Sequence, residues 1–152
     1  PKKLFSPLRI VASELYRGGH LLDQKVLAEF IREGHYGAHI RRMRLLYSKR
    51  HAFLIDLIHR HLGQDFLHEY NTAAGLRLML KLPSSSDDVL IASNARDQGV
   101  KGRALSQYYT KHYSTRQKGL LLGFACVSEQ EILVAFGILL KCLRDVGIPT
   151  LN

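Results

Sequence analysis

The sequence is poor in cysteine and proline and has no tryptophan. Its 152 residues include two cysteines, four prolines and thirteen aromatic side chains, of which seven are tyrosine and six phenylalanine. The cysteines, Cys126 and Cys142, are too few for a disulfide framework and lack the spacing of a metal site. We therefore predict a cytoplasmic chain that holds no metal. No apolar run approaches the roughly 20 residues of a membrane helix, and residues 1–5 do not resemble a signal peptide, so no membrane partner is expected.

Acidic residues are scarce relative to basic ones. Lysine and arginine number 22 against 13 aspartates and glutamates, which gives a net charge of +9 at pH 7. Such an excess is typical of chains that contact nucleic acid, a membrane surface or an acidic partner domain. The 46% apolar and 23% charged residues are ordinary for one globular domain. They exclude a collagen, a coiled-coil rod and general disorder.

Helical periodicity predicts four helices, over residues 21–34, 36–62, about 87–98 and 128–145. Ser128 and Glu131 form a capping box at the start of the last one. Glycines are predicted to end each helix, at Gly34, Gly63, Gly99 and Gly147. One face of the second helix is strongly basic and carries Arg41, Arg42, Arg44, Lys49, Arg50 and Arg60.

Alternation of leucine with polar residues predicts a strand over 76–82, buried on one side. Shorter strands are predicted over 65–70, 104–109 and 119–125. The order of elements predicts an α+β fold, a two-layer sandwich with helices on one face of a small sheet, preceded by a long connecting helix. We expect three segments: an irregular N-terminal segment over 1–20, a helical connection over 21–63, and a domain over 64–152.

Few residues form a recognisable catalytic or ligand-binding pattern. No glycine-rich phosphate loop is present. Histidine pairs at His35/His39 and His59/His61 are too few for a metal centre. Cys126 precedes a helix, where a nucleophile is possible, but a buried structural cysteine is the favoured interpretation. The basic face of the second helix would suit contacts with the phosphates of a nucleic acid. We favour the interpretation that it is a solvated or interdomain face.

Residues 21–50 resemble the MocR/PdxR branch of the GntR regulators. Those proteins join an N-terminal winged-helix domain to a fold-type-I aminotransferase-like domain. The most specific stretch is AEFIREGHYGAHIRRMR, from Ala28 to Arg44. Residues 74–83 and 119–132 resemble, in the same order, the strand that opens the small domain and its last strand with a capped helix. The resemblance covers residues 20–146 and implies the C-terminal small domain of such a module.

The resemblance also implies a cofactor and partners. The family binds pyridoxal phosphate through a lysine of the large domain, which we expect upstream of this chain. Lys2 and Lys3 faintly resemble that lysine stretch, but we assign no catalytic or cofactor-binding residue and expect no cofactor on this chain alone. The implied partners are the large domain, a winged-helix domain that alone contacts DNA, an amino-acid or vitamer-like effector, and further copies of the parent.

Aminotransferases of the fold that the resemblance implies usually hold the substrate carboxylate with an arginine at the start of the last small-domain strand. Leu121 stands at the matching position, and Arg116, five residues upstream, is the candidate substitute. Loss of this arginine favours an effector-sensing module over a transaminase. Two other functions stay open: the small domain of a true aminotransferase, and a free-standing basic nucleic-acid-binding protein.

Overall fold

The computed structural model describes residues 2–16, 20–67, 75–109 and 117–151. These ranges contain two short 3₁₀ turns, Gln64–Phe66 and Leu105–Tyr108. They also form five helices and three strands: α1 (Lys2–Tyr16), α2 (Leu21–Arg32), α3 (His35–His61), β1 (Arg77–Leu82), α4 (Asp88–Asp97), β2 (Arg103–Ala104), β3 (Lys118–Gly123) and α5 (Glu129–Asp145).

The three strands form one antiparallel sheet in the order β1-β3-β2. Leu78 pairs with Leu122 and Leu80 with Leu120 across β1 and β3. These four leucines are buried on one face, as the alternating pattern of residues 76–82 predicts. Of the predicted strand 104–109, only Ala104 pairs in the sheet, as the second residue of β2, because the 3₁₀ turn begins at Leu105.

The remaining predicted strand, residues 65–70, also differs from the structure. Its first residues belong to the turn Gln64–Phe66, and Leu67 makes an isolated antiparallel bridge to Leu80. Residues 68–70 lie outside the described ranges.

Three helices pack on the leucine face of the sheet. The core joins the inward leucines of β1 and β3 to Leu57 and Ile58 of α3, Ile91 of α4, and Phe136 and Leu143 of α5. The predicted α+β architecture, a small sheet with helices on one face, is therefore confirmed. The opposite face of the sheet carries the polar residues of β1. A ligand can reach the sheet from this face.

The N-terminal segment is not irregular, as predicted, but a helix, α1. Leu4, Leu8, Val11 and Leu15 recur every three or four residues and form an apolar stripe, which is the helical pattern that the prediction missed. Pro7 lies inside this helix, where proline ordinarily costs about 3 kcal/mol.

The structure also divides the chain at a different point from the predicted boundary at residue 63. It forms two compact units, Pro1–Met43 and Arg44–Asn152, and the division falls within α3. The second half of α3 belongs to the second unit because Leu54, Leu57 and Ile58 are buried in its core.

Candidate anion-binding site

The face of the sheet opposite the core presents cationic side chains around a small apolar centre. Arg77 and Lys81 of β1 and Arg103 of β2 are exposed, while Met79 and Leu121 are half-buried. These five residues are termed the open sheet face. All five fall on the same side of the sheet because side chains alternate along each strand and the strands pair in register.

Pairing of the strands brings an arginine next to Leu121. Leu121 is the cross-strand partner of Met79 on one side and of Arg103 on the other. Directly opposite residues of an antiparallel pair have their Cβ atoms about 5 Å apart. Arg103 therefore starts directly beside Leu121 on the open sheet face. Sequence reasoning missed Arg103, because register between distant segments is not visible in a local pattern.

Within the described ranges, one hydrogen bond holds the Arg103 side chain. Its Nη1 donates to the hydroxyl oxygen of Tyr108 at 3.2 Å, and Tyr108 belongs to the 3₁₀ turn that follows β2. This hydrogen bond and the charge interaction with Tyr108 raise the pKa of Arg103, and desolvation opposes them only in part. A guanidinium in this state can offer a carboxylate two parallel N–H groups.

The open sheet face is unbalanced in charge. Within the described part of the chain, Arg77, Lys81 and Arg103 take part in no ion pair. Arg77 and Lys81 are four residues apart on β1, roughly 13 Å along the strand. Three unpaired cations around Met79 and Leu121 favour an anionic ligand with a short apolar part.

A buried carboxylate braces the segment that carries this site. Asp88, at the start of α4, is 0% exposed. It accepts hydrogen bonds from the Ser106 N–H at 3.0 Å, from the Gly119 N–H at 3.2 Å and from the Ser106 hydroxyl. Lys118 Nζ lies 3.8 Å from the same carboxylate. Asp88 thereby ties α4 to the turn bearing Tyr108 and to the first residues of β3.

The same contacts determine the charge of Asp88. Burial alone would raise the pKa of Asp88, but the hydrogen bonds from Ser106 and Gly119 and the Lys118 charge outweigh it and lower the pKa. Asp88 is therefore ionised at neutral pH, and its network is fully formed there.

Gly119 permits the close approach of β1 and β3 at this end of the sheet. A Cβ atom at Gly119 would lie 2.6 Å from the carbonyl oxygen of Leu80, closer than non-bonded atoms come. The absence of a side chain thus lets its N–H reach Asp88 while its strand stays paired with β1.

The described residues include both cysteines but not Arg116, the arginine predicted to bind a carboxylate. Arg116 lies outside the described residues. Cys126 is exposed rather than buried, because it lies in the turn between β3 and α5, so the favoured structural interpretation was wrong for it. Cys142 is buried, its Sγ accepts a hydrogen bond from Gln98 Nε2 at 3.3 Å, and burial raises the pKa of its thiol.

The basic face of α3 is partly used for internal contacts. Lys49 pairs with Glu129 at 3.2 Å, Arg60 pairs with Asp56, and Arg50 donates to the carbonyl of Ala125. The three remaining cations, Arg41, Arg42 and Arg44, are exposed. One part of this face is therefore exposed to solvent, and the other part forms contacts within the protein.

The histidines of the described ranges do not form a ligand set. Among residues 2–16, 20–67, 75–109 and 117–151, no three histidine, cysteine or acidic side chains are grouped as metal ligands. The one buried histidine of α3, His51, has its ring 5.5 Å from that of Phe124, and burial lowers its pKa. Its Nε2 has no hydrogen-bond partner in the described structure.

The lysines of the described ranges do not fit a pyridoxal phosphate site. All of them are exposed except Lys118, which is 24% exposed. Lys118 Nζ is engaged with Ser106 Oγ at 3.2 Å and with Asp88. Lys118 therefore serves the hydrogen-bond network around Asp88. Lys2 and Lys3 lie exposed in α1.

Comparison with curated proteins relates the chain to transcriptional regulators. It is 34% identical over 132 residues to a Rhizobium meliloti protein named "Probable rhizopine catabolism regulatory protein MocR". Two Bacillus subtilis proteins named as uncharacterized HTH-type transcriptional regulators, YdeL and YhdI, are 34% and 31% identical over 146 and 134 residues. No protein-family model matches the chain.

These similarities cover most of this chain and a small part of each relative. The matched segments make up 87%, 86% and 87% of this chain, but only 26%, 31% and 28% of the three relatives. The chain thus spans about a quarter to a third of the regulators that it matches. None of the helices in the described ranges combines the length and the apolar character needed to cross a membrane.

Proposed function

We propose that this chain, whose homologues are MocR and other HTH-type transcriptional regulators, is the aminotransferase-like effector-sensing domain of such a regulator. In this proposal, Arg103 on the open sheet face binds the carboxylate of a small effector. The observation that carries the proposal is the row Met79–Leu121–Arg103, which sets a guanidinium beside the position of the family's missing arginine.

The proposed roles of the site residues follow from their chemistry. Arg103 binds the carboxylate through paired N–H donors, and Tyr108 orients the guanidinium through the hydrogen bond from Nη1. Met79 and Leu121 contact the apolar part of the effector, and Arg77 and Lys81 raise the local concentration of anions. Because Asp88 ties this segment to α4, effector binding at Arg103 acts on an element that is fixed to the core.

The exposed apolar side chains of the first unit support the idea that other parts of a parent protein cover this chain. No described residue of α2 is buried, and every described side chain of α1 is exposed. The exposed residues include Phe5, Leu8, Leu22, Val26 and Phe30, which lie on amphipathic helices. Exposed apolar surface of this extent marks an interaction site. We propose that the large domain of the parent covers it.

Pyridoxal phosphate and DNA enter the proposal only through the parent. The cofactor would bind to the large domain and supply an electrophilic carbonyl for an amino-acid or vitamer-like effector. DNA would be bound by a winged-helix domain, and the parent would be a cytoplasmic homo-oligomer. Residues of the present chain contribute carboxylate binding and nothing to the cofactor's lysine linkage. Arg116, the other candidate for the carboxylate, stays a prediction.

The test uses the full gene product and a fluorescent fragment of its own promoter. Anisotropy reports DNA binding with and without the common amino acids, succinate and the pyridoxal vitamers. We expect Arg103→Met to keep DNA binding and to lose at least about tenfold in effector affinity, which is the effect of removing a charged contact. Arg96→Met, at an exposed arginine of α4, is the matched control and should respond like the wild type.

Two outcomes would contradict the proposal. If Arg103→Met responds to the effector like the wild type, Arg103 does not bind it. If the gene product transaminates amino acids and does not bind the promoter, the chain is instead the small domain of an aminotransferase.

A further inference from the structure

A concave site lies on the helix side of the sheet. It is a groove of about 300 Å³ between the loop after α4 and the first half of α5. Its walls are mainly apolar and include Leu54, Val100, Phe124, Ile132, Ala135 and Phe136. None of the five residues of the open sheet face lines it, so the two sites are separate.

Both walls of the groove are fixed by local structure. On one side Gly99 has a φ of 90° and ends α4, and the Val100 N–H donates to the Ala95 carbonyl at 2.8 Å. A left-handed glycine at this point turns the chain so that Val100 and Lys101 face the groove. On the other side the capping box of Ser128 and Glu131 fixes the start of α5. The groove is therefore preformed, as ligand pockets usually are.

The charges at the groove favour an anion. Lys101 is exposed and has no ion pair within the described ranges. Glu131 also lines the groove, but its carboxylate already accepts the Ser128 N–H and the Ser128 hydroxyl, both at 2.7 Å. Those hydrogen bonds, with a smaller effect of the Arg50 charge, lower the pKa of Glu131. Glu131 therefore stays ionised with its carboxylate engaged by Ser128, and Lys101 is the charged group of the groove that has no ion-pair partner within the described ranges.

We propose that this groove binds a small amphipathic anion, an aromatic or branched aliphatic carboxylate or sulfonate, with its anionic head at Lys101. The apolar part lies against Phe124 and Phe136. A volume of about 300 Å³ equals roughly ten water molecules at about 30 Å³ each, which is room for a ring system or a short branched chain. The site is additional to the effector site at Arg103 and does not depend on it.

The test measures binding of 8-anilinonaphthalene-1-sulfonate to the 152-residue chain by fluorescence. The chain has no tryptophan, so energy transfer from tryptophan does not contribute to the probe signal. Because exposed apolar residues of α1 and α2 also attract this probe, the result rests on pairs of variants. Ala135→Phe fills the groove, and Leu133→Phe adds a phenyl group at an exposed position of α5 outside it. Lys101→Glu and Lys141→Glu make the same charge change inside and outside the groove.

We expect Ala135→Phe to remove one saturable class of sites and Lys101→Glu to weaken that class about tenfold or more. Leu133→Phe and Lys141→Glu should bind like the wild type. Equal binding by all four variants would overturn the proposal. If circular dichroism shows that Ala135→Phe does not fold, Lys101→Glu decides alone, because Lys101 is exposed. Equal affinity for the neutral analogue N-phenyl-1-naphthylamine would overturn the requirement for an anion.

Discussion

Replacement of Asp88 by alanine should destabilise the second unit more than any other single loss of a carboxylate described above. Asp88 is fully buried and satisfies the Ser106 and Gly119 N–H groups, the Ser106 hydroxyl and part of the Lys118 charge. Without the carboxylate, those two N–H groups lose their acceptor and the Lys118 ammonium loses its counter-charge. Removing one partner from a buried charged network costs about 3–5 kcal/mol.

That magnitude agrees with a count of the groups left unpaired. Each unsatisfied buried donor costs about 1–3 kcal/mol, and two backbone N–H groups are affected. A loss of about 3–5 kcal/mol is a large part of the roughly 5–15 kcal/mol by which domains are stable. Asp88→Ala should therefore shift the urea midpoint far downward, or leave the unit partly unfolded in buffer.

The neighbouring aspartate supplies the matched control. Asp87 is exposed and caps α4, accepting the Val89 and Leu90 N–H groups at 3.1 and 3.0 Å. Loss of such a cap costs about 1 kcal/mol. Urea unfolding followed by circular dichroism should rank the proteins wild type, Asp87→Ala, Asp88→Ala, in decreasing stability. Equal stability of the two variants would refute the view that Asp88 braces this segment.

Three further predictions concern Asp88, Gly119 and the exposed apolar helices. Because the pKa of Asp88 is lowered in the folded chain, its contribution is present above the ordinary value of about 3.9 and lost as pH falls through the folded value. Acid titration of the free energy of unfolding should thus be shallower for Asp88→Asn than for the wild type, and equal slopes would exclude this assignment. Gly119→Ala should cost about 1–3 kcal/mol in thermal unfolding through contact with the Leu80 carbonyl, whereas Gly137→Ala, at an exposed helical position with open space, should stabilise by about 0.5–1 kcal/mol. The isolated chain should self-associate in light scattering through its exposed apolar helices, and Phe30→Glu should reduce this; a strict monomer at high concentration speaks against it.

Elements with strong local signals are predictable from the sequence. The alternating leucines of residues 76–82 give β1, and the capping box of Ser128 and Glu131 marks the start of α5. The glycines predicted to end helices all have positive φ, which is the geometry of a helix end: Gly34, Gly63, Gly99 and Gly147. Each signal depends on residues within a few positions of one another.

Features that depend on distant residues were not predictable. The pairing of Arg103 with Leu121 joins strands separated by a turn and by residues outside the described ranges. The burial of Asp88 depends on Ser106 and Gly119, which are 18 and 31 residues away. In the sequence, Asp88 falls in the first turn of the helix predicted over 87–98, where an acidic residue is usually solvated, so its burial has no local signal.

The most direct test of the account is nuclear magnetic resonance of the arginine side chains in the nitrogen-labelled 152-residue chain, titrated with succinate. Loss of one Nε–H signal in Arg103→Met assigns Arg103, and Arg96→Met assigns the exposed control on α4. If the open sheet face binds carboxylates, the Arg103 signal shifts saturably with succinate and the Arg96 signal does not. A static Arg103 signal, or shifts of equal size at both arginines that grow linearly with succinate, would contradict the claim that the open sheet face binds carboxylates.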